Sequence, residues 1–165
     1  MDTTTETTVD VLTRLDIDTV APAFSRALAS LDAATTRELD AAGIPAALRE
    51  LVRVRASQLN GCAYCLGVHT RDALDAGEHP SRLAALAAWR DAPFFTARER
   101  AALALTDAIT RAAEARPTPG VTDAQWAEAS TRLTPGELGA LVALITTINA
   151  WNAVGVSTHA WTPTL

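Results

Sequence analysis

The sequence predicts an all-α protein, on three observations. No segment sustains the apolar/polar alternation of a strand, apolar residues recur at helical spacing along most of the chain, and helix start and stop residues flank those stretches. At 165 residues the chain is long enough for one domain with a substantial core. Residues 1–17, rich in Thr and Asp, are expected to be a flexible leader, and 18–165 a single helical domain.

The elements follow in order. Pro22 to about Ala42 carries Phe24, Leu28, Leu31 and Leu39 at roughly helical spacing, and Gly43 stops it. Pro45 suits the first turn of a helix carrying Leu48, Leu51, Val52 and Leu59, with Glu50 upon it. Next comes a helix from about Cys62 to Ala76, with Asn60 and Gly61 as N-cap candidates and Gly77 closing it. A short helix runs from Ser81 to Trp89, and 91–95 is a turn. Thr96 and Glu99 form a capping box that opens a helix to about Ala115, and Arg116–Gly120 is a loop. Thr122 to about Arg132 is helical, and a second capping box, Thr134 with Glu137, opens a long apolar helix to about Thr158. Within it, 138–156 is nearly long enough to span a bilayer, but Thr146, Thr147, Asn149 and Asn152 mark it as the buried helix of a soluble core.

Composition narrows the function. The net charge is −5 and there is no basic run, which argues against a general nucleic-acid binder. Every basic residue is Arg; Lys is absent. The acidic, polar start lacks the layout of a signal peptide, so a cytoplasmic location is expected, where a Cys-x-x-Cys is more readily catalytic than structural.

The chemistry concentrates at Cys62-Ala63-Tyr64-Cys65, the chain's only two cysteines, followed by His69. On a helix, Cys62 and Cys65 are i,i+3 neighbours, and Cys65 and His69 are i,i+4 neighbours, so all three share a face. Such a pair can close into a disulfide, and the positive end of a helix favours the thiolate. A disulfide over so short a loop staples the fold weakly. Two further readings stand beside the redox one. The cysteines are plain packing, or Cys62, Cys65 and His69 hold zinc with a fourth ligand, for which His79 and His159 are available without a recognised spacing. Glu50 likewise reads either as part of the site or as a surface carboxylate paired with Arg49 or Arg53, and Trp89, Trp126, Trp151 and Trp161 as core or interface anchors.

Glu50, eleven intervening residues, then Cys62, Cys65 and His69 at Cys-x-x-Cys-x-x-x-His spacing resemble the motif of the carboxymuconolactone decarboxylase / AhpD-like alkylhydroperoxidase superfamily. The flanking runs 49–53, 58–62, 69–74, 87–90, 95–103 and 148–152 are similar to the same branch, so the resemblance covers roughly 20–155.

The resemblance implies an AhpD-like helical bundle that oligomerises as a trimer or hexamer, and a thiol-dependent peroxidase. In that scheme Cys65 attacks the peroxide, Cys62 resolves the sulfenic acid as a disulfide, and His69 and Glu50 relay protons. It further implies a lipoyl-bearing protein or another small thiol carrier as reductant, and no organic cofactor or metal. AhpD carries His where Tyr64 stands here; Tyr64 is a hydrogen-bond donor but a poor base at neutral pH. The decarboxylase branch lacks the cysteine pair, so lactone decarboxylation is not expected. The alternatives are a protein disulfide oxidoreductase or redox sensor, and a metal-binding module on the same Cys/His cluster.

Overall fold

The computed structural model describes residues 11–113 and 120–163. The first ten residues of the expected leader, and the expected helix end at Ala115 with most of the following loop, lie outside the described residues. Among those described, eight α-helices build the chain: α1 (Ile17–Val20), α2 (Pro22–Ala41), α3 (Ala46–Asn60), α4 (Ala63–Asp75), α5 (Pro80–Ala85), α6 (Ala97–Thr110), α7 (Asp123–Ser130) and α8 (Pro135–Thr158). Short 3-10 turns extend α5 through Leu86–Ala88 and α6 through Arg111–Ala113.

Local chemistry sets the ends. Both predicted capping boxes form, at Thr96/Glu99 and Thr134/Glu137, and a third, Thr122/Gln125, opens α7. Each satisfies two backbone N–H groups that the first helical turn leaves unpaired. The α1 turn was not foreseen; Asp16 caps it by accepting from the amides of Asp18 and Thr19. The sequence placed Phe24 and Leu31 with Leu28 and Leu39 on one apolar face of α2. Leu28 and Leu39 are buried, but Phe24 and Leu31 are about half exposed.

The core has two parts divided by α3. Leu48 and Val52 face a cluster with Leu39, Leu105, Leu141 and Leu144. Leu51 and Val54 face a second cluster with Leu86, Trp89, Phe95 and Leu103. A helix buried on two sides must also bury polar residues. Arg55 answers this with two hydrogen bonds to Asp107 on α6, at 2.6 and 3.2 Å, and the indole of Trp89 donates to the same carboxylate at 3.3 Å. Helix α8 is long and apolar enough to cross a membrane by length and composition alone; here it packs against α2, α3 and α6 and supplies Leu141, Leu144 and Ile145 to the core. The buried hydroxyls of Thr35 and Thr147 bond at 2.8 Å where α2 meets α8.

Candidate active site

The α3–α4 junction presents the cysteines. Gly61 ends α3 in the left-handed region, φ 69°, which glycine adopts without steric cost. Asn60 and Gly61 were N-cap candidates for the next helix; instead Asn60 ends α3, Gly61 caps its C-terminus and Cys62 itself is the N-cap of α4. Sγ of Cys62 accepts the amide N–H of Cys65 at 3.3 Å. Asn60 is fixed by donating to the side-chain oxygens of Asn149, at 2.7 Å, and Asn152, at 2.9 Å, on α8. Asn152 donates in turn to the hydroxyl of Ser57 at 3.1 Å.

Cys62 and Cys65 are joined as a disulfide, with Cα atoms 5.3 Å apart, and both are buried. They sit at the positive end of α4, which favours a thiolate over a thiol when the bond is open. Gly155 of α8 lies directly against them. A Cβ placed there would be 3.0 Å from Sγ of Cys62 and 3.7 Å from Sγ of Cys65. Sequence reasoning passed over this residue; a glycine in the last turns of a long apolar helix, well past Gly136 and Gly139 at its start, was the available signal.

Glu50 is not the surface carboxylate of the plainer reading. It is buried on α3, bonded to Arg53, and its Oε2 lies 3.0 Å from Nδ1 of His69. Burial pushes the Glu50 carboxyl upward, but the hydrogen bond from His69 and the charge of Arg53 outweigh it and hold it below its ordinary value. An ionised carboxylate only accepts, so Nδ1 of His69 carries the hydrogen of this bond and Nε2 is the ring nitrogen left for other chemistry. Asp72, one turn after His69, stands 3.8 Å from the same Nδ1. Glu50, His69 and Asp72 form a group whose ligand-type atoms lie within 4.8 Å of one another, but the Arg53 guanidinium already occupies one oxygen of Glu50. The cysteine sulfurs are bonded to each other and lie outside that group. His79 accepts the amide of Ser81 as the N-cap of α5.

A cavity of about 270 Å³ opens on this constellation, lined by Cys65, His69, Arg53, Tyr64, Trp151 and Trp161, with Asp32 and Asp72 also on its wall. The ring of Trp161 packs 5.7 Å from that of Tyr64 and 5.6 Å from that of Trp151, centroid to centroid. Trp151 and Trp161 thus wall the site, while Trp89 lies in the core and Trp126 is partly exposed.

Residues 22–108, over half of the chain, match the model of the carboxymuconolactone decarboxylase family. The chain belongs to that family. The uncharacterized protein YdfG of Bacillus subtilis is 33% identical over 109 residues, 66% of this chain and 71% of YdfG. Among solved structures, the chain is similar to ATU0492 of Agrobacterium tumefaciens, a protein of unknown function suggested to be the antioxidant defence protein AhpD. The TM-score is 0.82 at 26% identity, covering 93% of this chain and all of that one. The debrominase Bmp8 shares the fold, with a TM-score of 0.68 at 20% identity over 85% of this chain and 71% of Bmp8. The all-α, AhpD-like fold expected of the resemblance is therefore the fold observed, and this chain's Cys-x-x-Cys lies where α3 hands over to α4.

Proposed function

We propose that this chain is a thiol-dependent peroxidase that reduces organic hydroperoxides or hydrogen peroxide through a dithiol/disulfide cycle of Cys62 and Cys65. The observation that carries the reading is the placement of Cys65 and His69 on one cavity, with buried Glu50 bonded to His69 behind it and Cys62 bonded to Cys65. The likeness to a structure suggested to be AhpD supports it.

In this reading His69 takes the proton of Cys65 at Nε2, and Glu50 orients the ring and stabilises the imidazolium. The Cys65 thiolate attacks the distal peroxide oxygen, the O–O bond breaks, and the leaving alkoxide takes up the proton as alcohol or water. Cys65 is then a sulfenic acid. Cys62 attacks its sulfur, water departs, and the disulfide forms. Tyr64 supports the wall beside Cys65 and offers a hydroxyl donor. Reduction by an external thiol, such as that of a lipoyl-bearing protein in the cytoplasm, closes the cycle. The half-exposed Phe24 and Leu31 on α2, with Val20 before them, suit a homo-oligomeric contact, as a trimer or hexamer.

The test is consumption of an organic hydroperoxide with dihydrolipoamide as reductant, comparing the metal-free protein with Cys65→Ser. Turnover that depends on Cys65 is expected. No turnover by fully reduced protein overturns the reading; disulfide exchange with protein substrates would then favour an oxidoreductase or sensor.

A further inference from the structure

The disulfide sits between two cavities, and each of its cysteines lines one of them. Cys65 lines the cavity that holds His69 and Arg53, and Cys62 does not. Cys62 lines a second cavity of about 260 Å³ with Ala63, Gly155, Val156 and His159, and Cys65 does not. Tyr64 and Trp161 line both, so their packed rings are the partition.

We infer that the reducing thiol reaches the disulfide through this second cavity and attacks Sγ of Cys62. The inference rests on the peroxidase reading and assigns its reductive half. Thiol–disulfide exchange is a displacement at sulfur, with the attacking, attacked and leaving sulfurs in line. A thiolate in the second cavity meets Cys62 first, with Cys65 behind it as leaving group. The new bond joins the reductant sulfur to Cys62; the Cys62–Cys65 bond breaks, and its electron pair leaves on Cys65. That thiolate appears at the third residue of α4, in the cavity where His69 stands and where a peroxide is to be met. When the reductant is a dithiol, its second sulfur displaces Cys62 and the reductant leaves as a cyclic disulfide. The two hydrogens of the dithiol end on Cys62 and Cys65, which become thiols. Attack on Cys65 would instead leave the mixed disulfide inside the peroxide cavity.

The linings differ in the same sense. The Cys65 cavity carries the charged side chains of Asp32, Arg53 and Asp72. Besides Cys62, the described ionisable residues around the second are Tyr64 and His159 alone, and Val11, Val156 and Pro163 make much of its wall. An uncharged aliphatic thiol or dithiol arm matches that surface.

The experiment needs no peroxide. Oxidised full-length protein is mixed with hexane-1-thiol, quenched with acid after a short interval and alkylated. The peptide between Arg55 and Arg71 is then fragmented to place the adduct. The expected product carries the hexylthio group on Cys62 and the alkyl label on Cys65. An adduct mainly on Cys65, an equal mixture, or no adduct on either sulfur overturns the inference. In parallel, Val156→Trp, which fills the second cavity, is expected to lower the rate of reduction by hexane-1-thiol relative to that of oxidation by hydroperoxide by about 10-fold or more; an unchanged ratio also overturns it. Protein that forms the Cys62 adduct yet never consumes hydroperoxide sinks the peroxidase reading and leaves this assignment standing.

Discussion

Nδ1 of His69 and Oε2 of Glu50 lie 3.0 Å apart although nineteen positions separate them in the chain. The contact joins α3 to α4 and fixes the histidine tautomer. Glu50→Gln keeps the size, removes the charge and allows the amide to donate to Nδ1, which moves the ring hydrogen to Nε2. The rate of Cys65 oxidation by hydroperoxide, followed by stopped-flow, is expected to fall by about 100-fold, within the range of general acid–base effects. A rate within about threefold of wild type would remove Glu50 from the proton relay.

The two cysteines are expected to fail differently. Cys65→Ser should abolish peroxide consumption. Cys62→Ser should consume a single equivalent and stop, with the sulfenic acid on Cys65 trapped by dimedone and seen by mass spectrometry. Dimedone labelling on Cys62 in the Cys65→Ser protein, at a wild-type rate of peroxide loss, would reverse the two roles.

The Asp107 carboxylate holds the buried Arg55, and Asp107→Asn leaves that guanidinium without its counter-charge. The expected loss is about 3–5 kcal/mol of unfolding free energy, measured by urea titration. No change in the urea midpoint would show that the pair is energetically idle.

Acid should act through the same kind of group. Burial pushes Glu50, Glu99 and Asp107 upward, but each is held below its ordinary value, Glu50 chiefly by His69 and Arg53, Glu99 by Arg82 and Asp107 by Arg55 and Arg90. The unfolded chain therefore takes up protons at a higher pH than the folded one. The stability these groups contribute is fully present above roughly pH 4–5, where unfolded carboxylates are ionised, and is lost as pH falls through the lowered native values. Urea midpoints should be level near neutrality and drop steeply below about pH 4; a flat profile to about pH 3 contradicts the assignment.

Gly155→Val places branched carbons where a single Cβ already comes within 3.0 Å of Sγ of Cys62. Overpacking of this kind costs about 1–3 kcal/mol, and the same substitution should slow disulfide closure, read as a lag between sulfenic acid formation and loss. Wild-type closure kinetics would show that α8 yields at this point.

Features written in neighbouring residues were legible in the sequence, and features made by distant ones were not. Thr96 with Glu99 and Thr134 with Glu137 are three residues apart, so their capping boxes could be read directly, as could the spacing of Cys62, Cys65 and His69. The start of α4 could not, because Asn60, Gly61 and Cys62 all suit an N-cap, and the asparagine contacts of α8 decided among them. Arg55 and Asp107 are fifty-two positions apart, and neither announces the other. Gly155 meets the sulfurs, and Trp151 and Trp161 wall the cavity that Cys65 lines, only because α8 and the segment after it cross the α3–α4 junction. The half exposure of Phe24 and Leu31 follows from how α2 is rolled against α8, which helical periodicity does not contain.

Asn60 is followed by Gly61, the dipeptide at which asparagine cyclises and deamidates most readily, since glycine leaves the backbone nitrogen unhindered. Here the side-chain amide donates to two carbonyl oxygens, those of Asn149 and Asn152. Aspartate in its place has no hydrogen to give and sets a negative charge against both acceptors. Asn60→Asp is therefore expected to loosen α8 from α3 while both sulfurs stay intact, read as a lower urea midpoint; an unchanged midpoint contradicts it.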